Sequence, residues 1–165
     1  MDTKHFVAYT DGGCDGNGFP NSLGGYGFVV IDQAGYEFTG HNQSAYVDVT
    51  NNQMELLAVI KALEWVESAA PGASVDIRTD SQLVIGWCSQ NWRRNSEATK
   101  PYLEQLDELQ SRLSVTFTKV KGHSGDKYNE MADQLAAIPI NRALQELNRQ
   151  PWEYRKKAKK VRARA

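Results

Sequence analysis

The chain has 165 residues and a mass of 18.5 kDa, with 41% apolar and 24% charged residues and a formal net charge of −1. These are ordinary values for one soluble domain burying about two thirds of its unfolded surface. They leave no apolar run of the roughly 20 residues that span a bilayer, and Cys14 and Cys88 form neither a disulfide framework nor a zinc spacing.

The first segment, FVAYT (residues 6–10), is a run of β-formers that stops at Asp11, Gly12 and Gly13. A loop rich in Gly, Asn and Pro follows, and residues 26–31 form a second strand. DQAG (32–35) reads as a hairpin turn into a third strand over 36–40, so the three form an antiparallel meander. From 52 to 68, Leu56, Val59, Ile60, Leu63 and Val66 recur at helical spacing until Pro71 and Gly72. Residues 75–79 are the next strand, parallel to the first by a βαβ crossover. A short helix from 81 to about 92, a polar break (RRNSEATK) and a helix from Pro101 to 113 lead to a strand over 114–121. The loop GHSGD opens a last helix carrying Asn129 and Asp133, which Pro139 is expected to end. This order, β-β-β-α-β-α-α-β-α, predicts an α/β fold: a mixed five-stranded sheet, three strands antiparallel and then parallel ones, with helices on its faces.

Four acids stand out: Asp11 in YTDGG, Glu55 in TNNQMEL, Asp80 in RTDSQ and Asp133 in NEMADQLA. Singly, each has an ordinary structural explanation. Asp11 reads as a turn aspartate, Glu55 as the acid of a capping box opened by Asn52, Asp80 as a helix cap and Asp133 as an exposed helix carboxylate. The proposed topology brings them together. Asp11 and Asp80 are placed at the carboxyl ends of two parallel strands, the edge where open α/β sheets bind ligands. Glu55 and Asp133 lie on helices that reach the same edge. Four carboxylates in one volume repel one another and call for cations. With oxygen donors only, those cations are hard ones, Mg2+ with Mn2+ as a substitute, rather than zinc. Two such ions support in-line phosphoryl transfer without a protein nucleophile. His123, between Gly122 and Ser124, is either a loop residue without a task or a group that moves a proton near neutral pH.

In their order and spacing, TDGG followed by Cys14 and Asn17, GGYG, TNNQMEL, TDSQ and VKGHSG with NE, AD and LA resemble type 1 ribonucleases H. The resemblance covers most of the chain. It implies the ribonuclease H-like fold and endonucleolytic cleavage of the RNA strand of an RNA–DNA hybrid, leaving 5′-phosphate and 3′-hydroxyl ends. It also implies that Asp11, Glu55, Asp80 and Asp133 hold two Mg2+ ions and that His123 is the family's loop histidine. Cys14, Asn17, Asn52 and Gln82 match positions touching the hybrid's backbone or minor groove. Thr50 and Asn51 match a segment near the DNA phosphate, and Asn129 belongs to the same site. The 2′-hydroxyl is what such side chains read to tell RNA from DNA.

The chain departs from that pattern in four places. The loop between Asn17 and Gly25 is longer, Gln53 stands where a basic residue is common, and of a basic protrusion only Arg93 and Arg94 remain. The chain also continues past the usual end. Residues 142–165 hold nine Lys/Arg against two Glu, and seven of the ten residues from 155 to 164 are basic. The expected organisation is a catalytic domain over 1–141 and a basic extension over 142–165, either a solvated end or an arm for a polyanion. With no secretory signal in MDTKHFVAYTDGG, a monomeric cytoplasmic enzyme is expected. Three rivals fit less well. A binding module that holds hybrids without cutting them usually lacks an acid. A proofreading-type exonuclease places Asp-x-Glu on its first strand. A purely structural domain leaves the GHSG loop without a role.

Overall fold

The computed structural model describes residues 3–121 and 126–155. In chain order the elements are β1 (His5–Asp15), β2 (Leu23–Ile31), β3 (Glu37–His41), β4 (Tyr46–Val47), α1 (Asn51–Ala69), β5 (Ser74–Thr79), α2 (Gln82–Ser89), α3 (Lys100–Arg112), β6 (Ser114–Lys119) and α4 (Lys127–Glu146). The main sheet runs β3-β2-β1-β5-β6, antiparallel among β1, β2 and β3 and parallel from β1 through β5 to β6. The expected mixed sheet is present with one strand more than predicted. β4 pairs with Leu23 and Gly24 of β2 over two residues, too few to show any alternation in sequence.

The DQAG turn closes as expected. The Asp32 carboxylate accepts from the amides of Ala34 and Tyr36, and Gly35 takes the positive φ of 89° that an L side chain resists. Helix α1 is buried well beyond the predicted stripe. Met54, Ala58 and Ala62 are as enclosed as Leu56, Ile60 and Leu63, and Leu57 is buried too, because α1 lies between the sheet and α3. A helix covered on two sides needs apolar residues around most of its circumference. This layer is the main core, which also takes in Phe6, Phe28, Val75, Ile77, Leu103 and Leu106. On the opposite face α4 covers β1 and β2 through a smaller cluster around Tyr9, Val29 and Ala132.

Two expectations about helix ends are corrected. The box opening α1 is Thr50 with Gln53: the Thr50 hydroxyl accepts from Gln53 N at 3.2 Å, and the Gln53 side chain accepts from Thr50 N at 2.9 Å. Asn52 and Glu55 take no part in it, which leaves Glu55 available. Pro139 does not end the last helix. It lies buried inside α4, forgoing one backbone bond, with its ring against Gly25 of β2. The expected boundary after residue 141 therefore falls within α4.

A four-carboxylate candidate metal centre

Pairing between β1 and β5 holds Tyr9 opposite Arg78, and extending that register by two residues sets Asp11 beside Asp80. The strand assignment needs one revision. Asp11 does not end β1, which continues antiparallel to β2 as far as Asp15 opposite Leu23. It lies just past the point where parallel pairing stops, so a gap opens on the β5 side while the β2 side stays closed. Asp80 follows β5 directly. It is not a helix cap, since Ser81 caps α2 by accepting from Val84 N.

The glycines beside Asp11 let both helices approach. A Cβ at Gly12 would lie 2.3 Å from Glu55 N and from Met54 C, so the bare backbone admits the first turns of α1 and brings Glu55 to the strand. On the other face, Cβ atoms at Gly25 and Gly27 would lie 2.1 Å from Ala136 O and 2.4 Å from Ala132 O. That approach brings α4 down onto β2 with Asp133 above Asp11.

Carboxylate oxygens of Asp11, Glu55 and Asp80 all lie within 4.8 Å of one another. Asp133 shares a hydrogen bond with Asp11 and, with Asp11, Asp80, Asn129 and Glu130, lines a small cleft. Burial, then the charge of Asp80 and the bond to Asp133, push the Asp11 carboxyl up to about 8, against a counteracting bond from Gly12 N at 2.9 Å. Burial also raises Glu55, and the charge of Asp80 adds to the rise, while the Ser81 hydroxyl opposes it. An acid held protonated at neutral pH by burial and by acidic neighbours marks a site short of positive charge. The donor set is all oxygen, so the residues fit hard divalent cations and offer nothing that selects zinc.

The remaining expected site residues are placed as follows. Cys14, half-buried at the end of β1, donates to Val49 O at 3.2 Å. The Asn17 side chain accepts from Asn51 N at 2.9 Å, tying the β1–β2 loop to the start of α1, where Thr50, Asn51 and Asn52 lie. Gln82, at the start of α2, makes a 3.4 Å bond to Gln90. Asn129 is buried at 6% exposure in the first turn of α4, whose cap Asp126 accepts from the amides of Tyr128 and Asn129. His123 lies outside the described residues. The pair left from the basic protrusion is reduced further: Arg94 is held in a two-pronged bond to Asp107 at 2.6 and 2.9 Å and also donates to Trp87 O. It packs α2 against α3 and is not free for phosphate.

Sequence reasoning missed Ser81 and Glu130. A hydroxyl directly after the strand-ending Asp80 and an acid three residues before Asp133 were the available signals. Larger clefts lie elsewhere, one beside Phe6, Phe38 and Trp65, but among the described residues they gather no comparable set of acids.

Comparison with known proteins agrees with this geometry. The sequence model of the family described as RNase H matches residues 3–140. A ribonuclease H of Clostridium botulinum (strain Hall) is 39% identical over 157 residues, covering 88% of this chain and 99% of that protein. The crystal structure of RNase H1 from the halophilic archaeon Halobacterium salinarum superposes with a TM-score of 0.72 at 27% identity, covering 84% of this chain and 98% of that one. LC11-RNase H1, solved in complex with an RNA/DNA hybrid, shares the fold at a TM-score of 0.71 and 23% identity, with coverage of 84% and 99%.

Proposed function

The chain belongs to the ribonuclease H family, and on that premise we propose that it is an endoribonuclease hydrolysing the RNA strand of RNA–DNA hybrids. The observation that carries the reading is the convergence of Asp11, Glu55 and Asp80 within 4.8 Å, with Asp133 bonded to Asp11. These four acids are the residues that would hold two divalent ions, Mg2+ with Mn2+ able to substitute. When bound, such ions stabilise the charge of an in-line displacement and lower the pKa of the attacking water.

The chain's own groups do the rest. The backbone approach at Gly12 keeps Glu55 fixed relative to Asp11, so the acids are preorganised before substrate arrives. Cys14, Asn17, Thr50, Asn51 and Asn52, tied together through the β1–β2 loop and the start of α1, are assigned with Gln82 and Asn129 to contact with the hybrid. Thiol and amide groups suit the 2′-hydroxyl and sugar edges that distinguish RNA. His123, three residues before the Asp126 cap of α4, is assigned the role of moving a proton as product forms. In the hydrolysis, water adds to phosphorus and the P–O3′ bond breaks. The 3′-oxygen takes up a proton, leaving 5′-phosphate and 3′-hydroxyl ends.

Among the described residues no helix is long and apolar enough to cross a membrane. A freely diffusing, monomeric cytoplasmic enzyme is the form proposed. The test is an internally labelled hybrid beside single-stranded RNA and duplex DNA, each in Mg2+ and in EDTA. Internal cuts confined to the hybrid's RNA, lost in EDTA and bearing 5′-phosphates, are the expected outcome. Binding without cutting in Mg2+ and in Mn2+ would assign the chain to hybrid binding alone.

The basic extension is proposed to supply phosphate contacts in place of the absent protrusion. Because α4 runs through residue 141 and the segment to Arg155 is folded onto the body, the informative truncation removes only 156–165, which hold six Lys/Arg. Each lost phosphate contact lowers the slope of log K against log salt by about 0.9. Titration of hybrid binding at several salt concentrations is expected to give a shallower slope for the truncated chain. An unchanged slope rules the contacts out.

A further inference from the structure

After α4 the chain turns back and lies against the β1–β2 loop. The Asp15 carboxylate, only 9% exposed, receives the Arg155 guanidinium at 2.8 Å and the Trp152 backbone amide at 2.7 Å, with Arg149 at 3.7 Å. Arg149 also donates to Asn21 O at 3.0 Å, so one segment holds both ends of the loop. Between them the Trp152 ring packs on Phe19, centroids 4.6 Å apart, and the Arg155 guanidinium lies over the indole at 5.0 Å. Gly16, at φ +74°, lies beside the same ring.

The inner side of the loop is bound to the segment that opens α1. Asn17 accepts from Asn51 N, Ser22 Oγ exchanges two hydrogen bonds with Val49, Asn21 N donates to Asp48, and Cys14 reaches Val49 O. The order from outside inward is thus C-terminal segment, loop, and the linker into α1. Cys14, Asn17, Thr50, Asn51 and Asn52 all belong to the inner two layers. A loop this long and rich in Gly and Asn carries much conformational entropy when free.

We infer that Asp15, Arg149, Trp152 and Arg155 form a strap that positions the β1–β2 loop for substrate, making the C-terminal segment a determinant of hybrid affinity. These are positioning residues: they act through Cys14 and Asn17 and lie apart from the four acids. The inference rests on the hybrid-nuclease reading and adds to it the chain's own means of setting its substrate grip. Two arginines on one carboxylate leave an excess positive charge there, which favours a nearby polyanion.

The test opens the strap with Trp152→Ala and Arg155→Ala together, in the full chain so that residues 156–165 remain. The expected result is a KM for hybrid raised about tenfold with kcat within about twofold, because the loop loses its preset geometry while the acids keep theirs. The conservative pair Trp152→Phe and Arg155→Lys retains a ring on Phe19 and a cation at Asp15, and is expected to recover most of the affinity. An unchanged KM in the opened variant overturns the inference. So does a fall in kcat at constant KM that follows the loss of folded protein in thermal melts, which is the signature of a merely structural segment. If the wild type cuts no hybrid, both readings fall; if it cuts and only the strap variant is silent in KM, the strap alone falls.

Discussion

Asp11→Asn is expected to lower kcat on hybrid by about 1,000-fold or more while leaving the fold intact. The change removes one charged oxygen from the centre of the cluster, and charge stabilisation of several kcal/mol corresponds to three or more decades of rate. Its effect on stability has the opposite sign. In the metal-free protein Asp11 holds its proton up to about pH 8, whereas in the unfolded chain it loses it near the ordinary 3.8. Below about 3.8 both states are protonated and the site exerts no penalty. Between those values the folded state keeps a proton that the unfolded state has released, so stability falls as pH rises, by a total on the order of a few kcal/mol, and the loss ends above about 8. Asparagine does not titrate, so in EDTA the variant is expected to be more stable than wild type at pH 8 and equal to it near pH 4. Added Mg2+ or Mn2+ relieves the repulsion and stabilises the wild type more than the variant. Thermal melts across pH, with and without metal, check both halves. Parallel curves for the two proteins would mean that the acids are not coupled as their placement implies.

Gly12→Ala is expected to destabilise the protein by about 3 kcal/mol and to cost activity as well, on the order of 100-fold in kcat. The added carbon meets Glu55 N and Met54 C at 2.3 Å and Met54 O at 2.6 Å, all backbone atoms, so no side chain can swing aside. The start of α1 must shift by about 1 Å to reach ordinary contact, and Glu55 moves with it. Gly13→Ala is the matched control. Its Cβ points to the other face and meets only the flexible end of Ile140 at 3.6 Å, so near-wild-type stability is expected. Urea denaturation and steady-state kinetics on the two neighbours decide the matter. Equal stability would remove close packing as the reason for the glycine.

The features hidden from the sequence share a cause. The two-residue β4 carries no periodicity of its own, and Pro139 sits inside α4 only because Gly25 leaves room for its ring. Asp11 was read as a strand end because Gly12 and Gly13 look like a turn. They stay in the ladder opposite Tyr26 and Gly25, and the bare backbone of Gly12 admits the start of α1. Arg94 has the sequence position of a substrate grip, but its guanidinium is held by Asp107 of α3. Trp152 and Asp15, 137 residues apart, gave no sign of each other.

By itself the sequence determined the order of strands and helices apart from β4, and it set out the four acids and the hard-cation chemistry they imply. Those follow from local period, turn residues and side-chain type, which neighbouring residues settle among themselves. Tertiary structure alone decided how close the acids come, which of them holds a proton, and what the C-terminal segment rests on. Each of these depends on two backbones meeting across a bare glycine or on charges brought together from distant parts of the chain. Burial and mutual repulsion then set energies that no stretch of sequence contains alone.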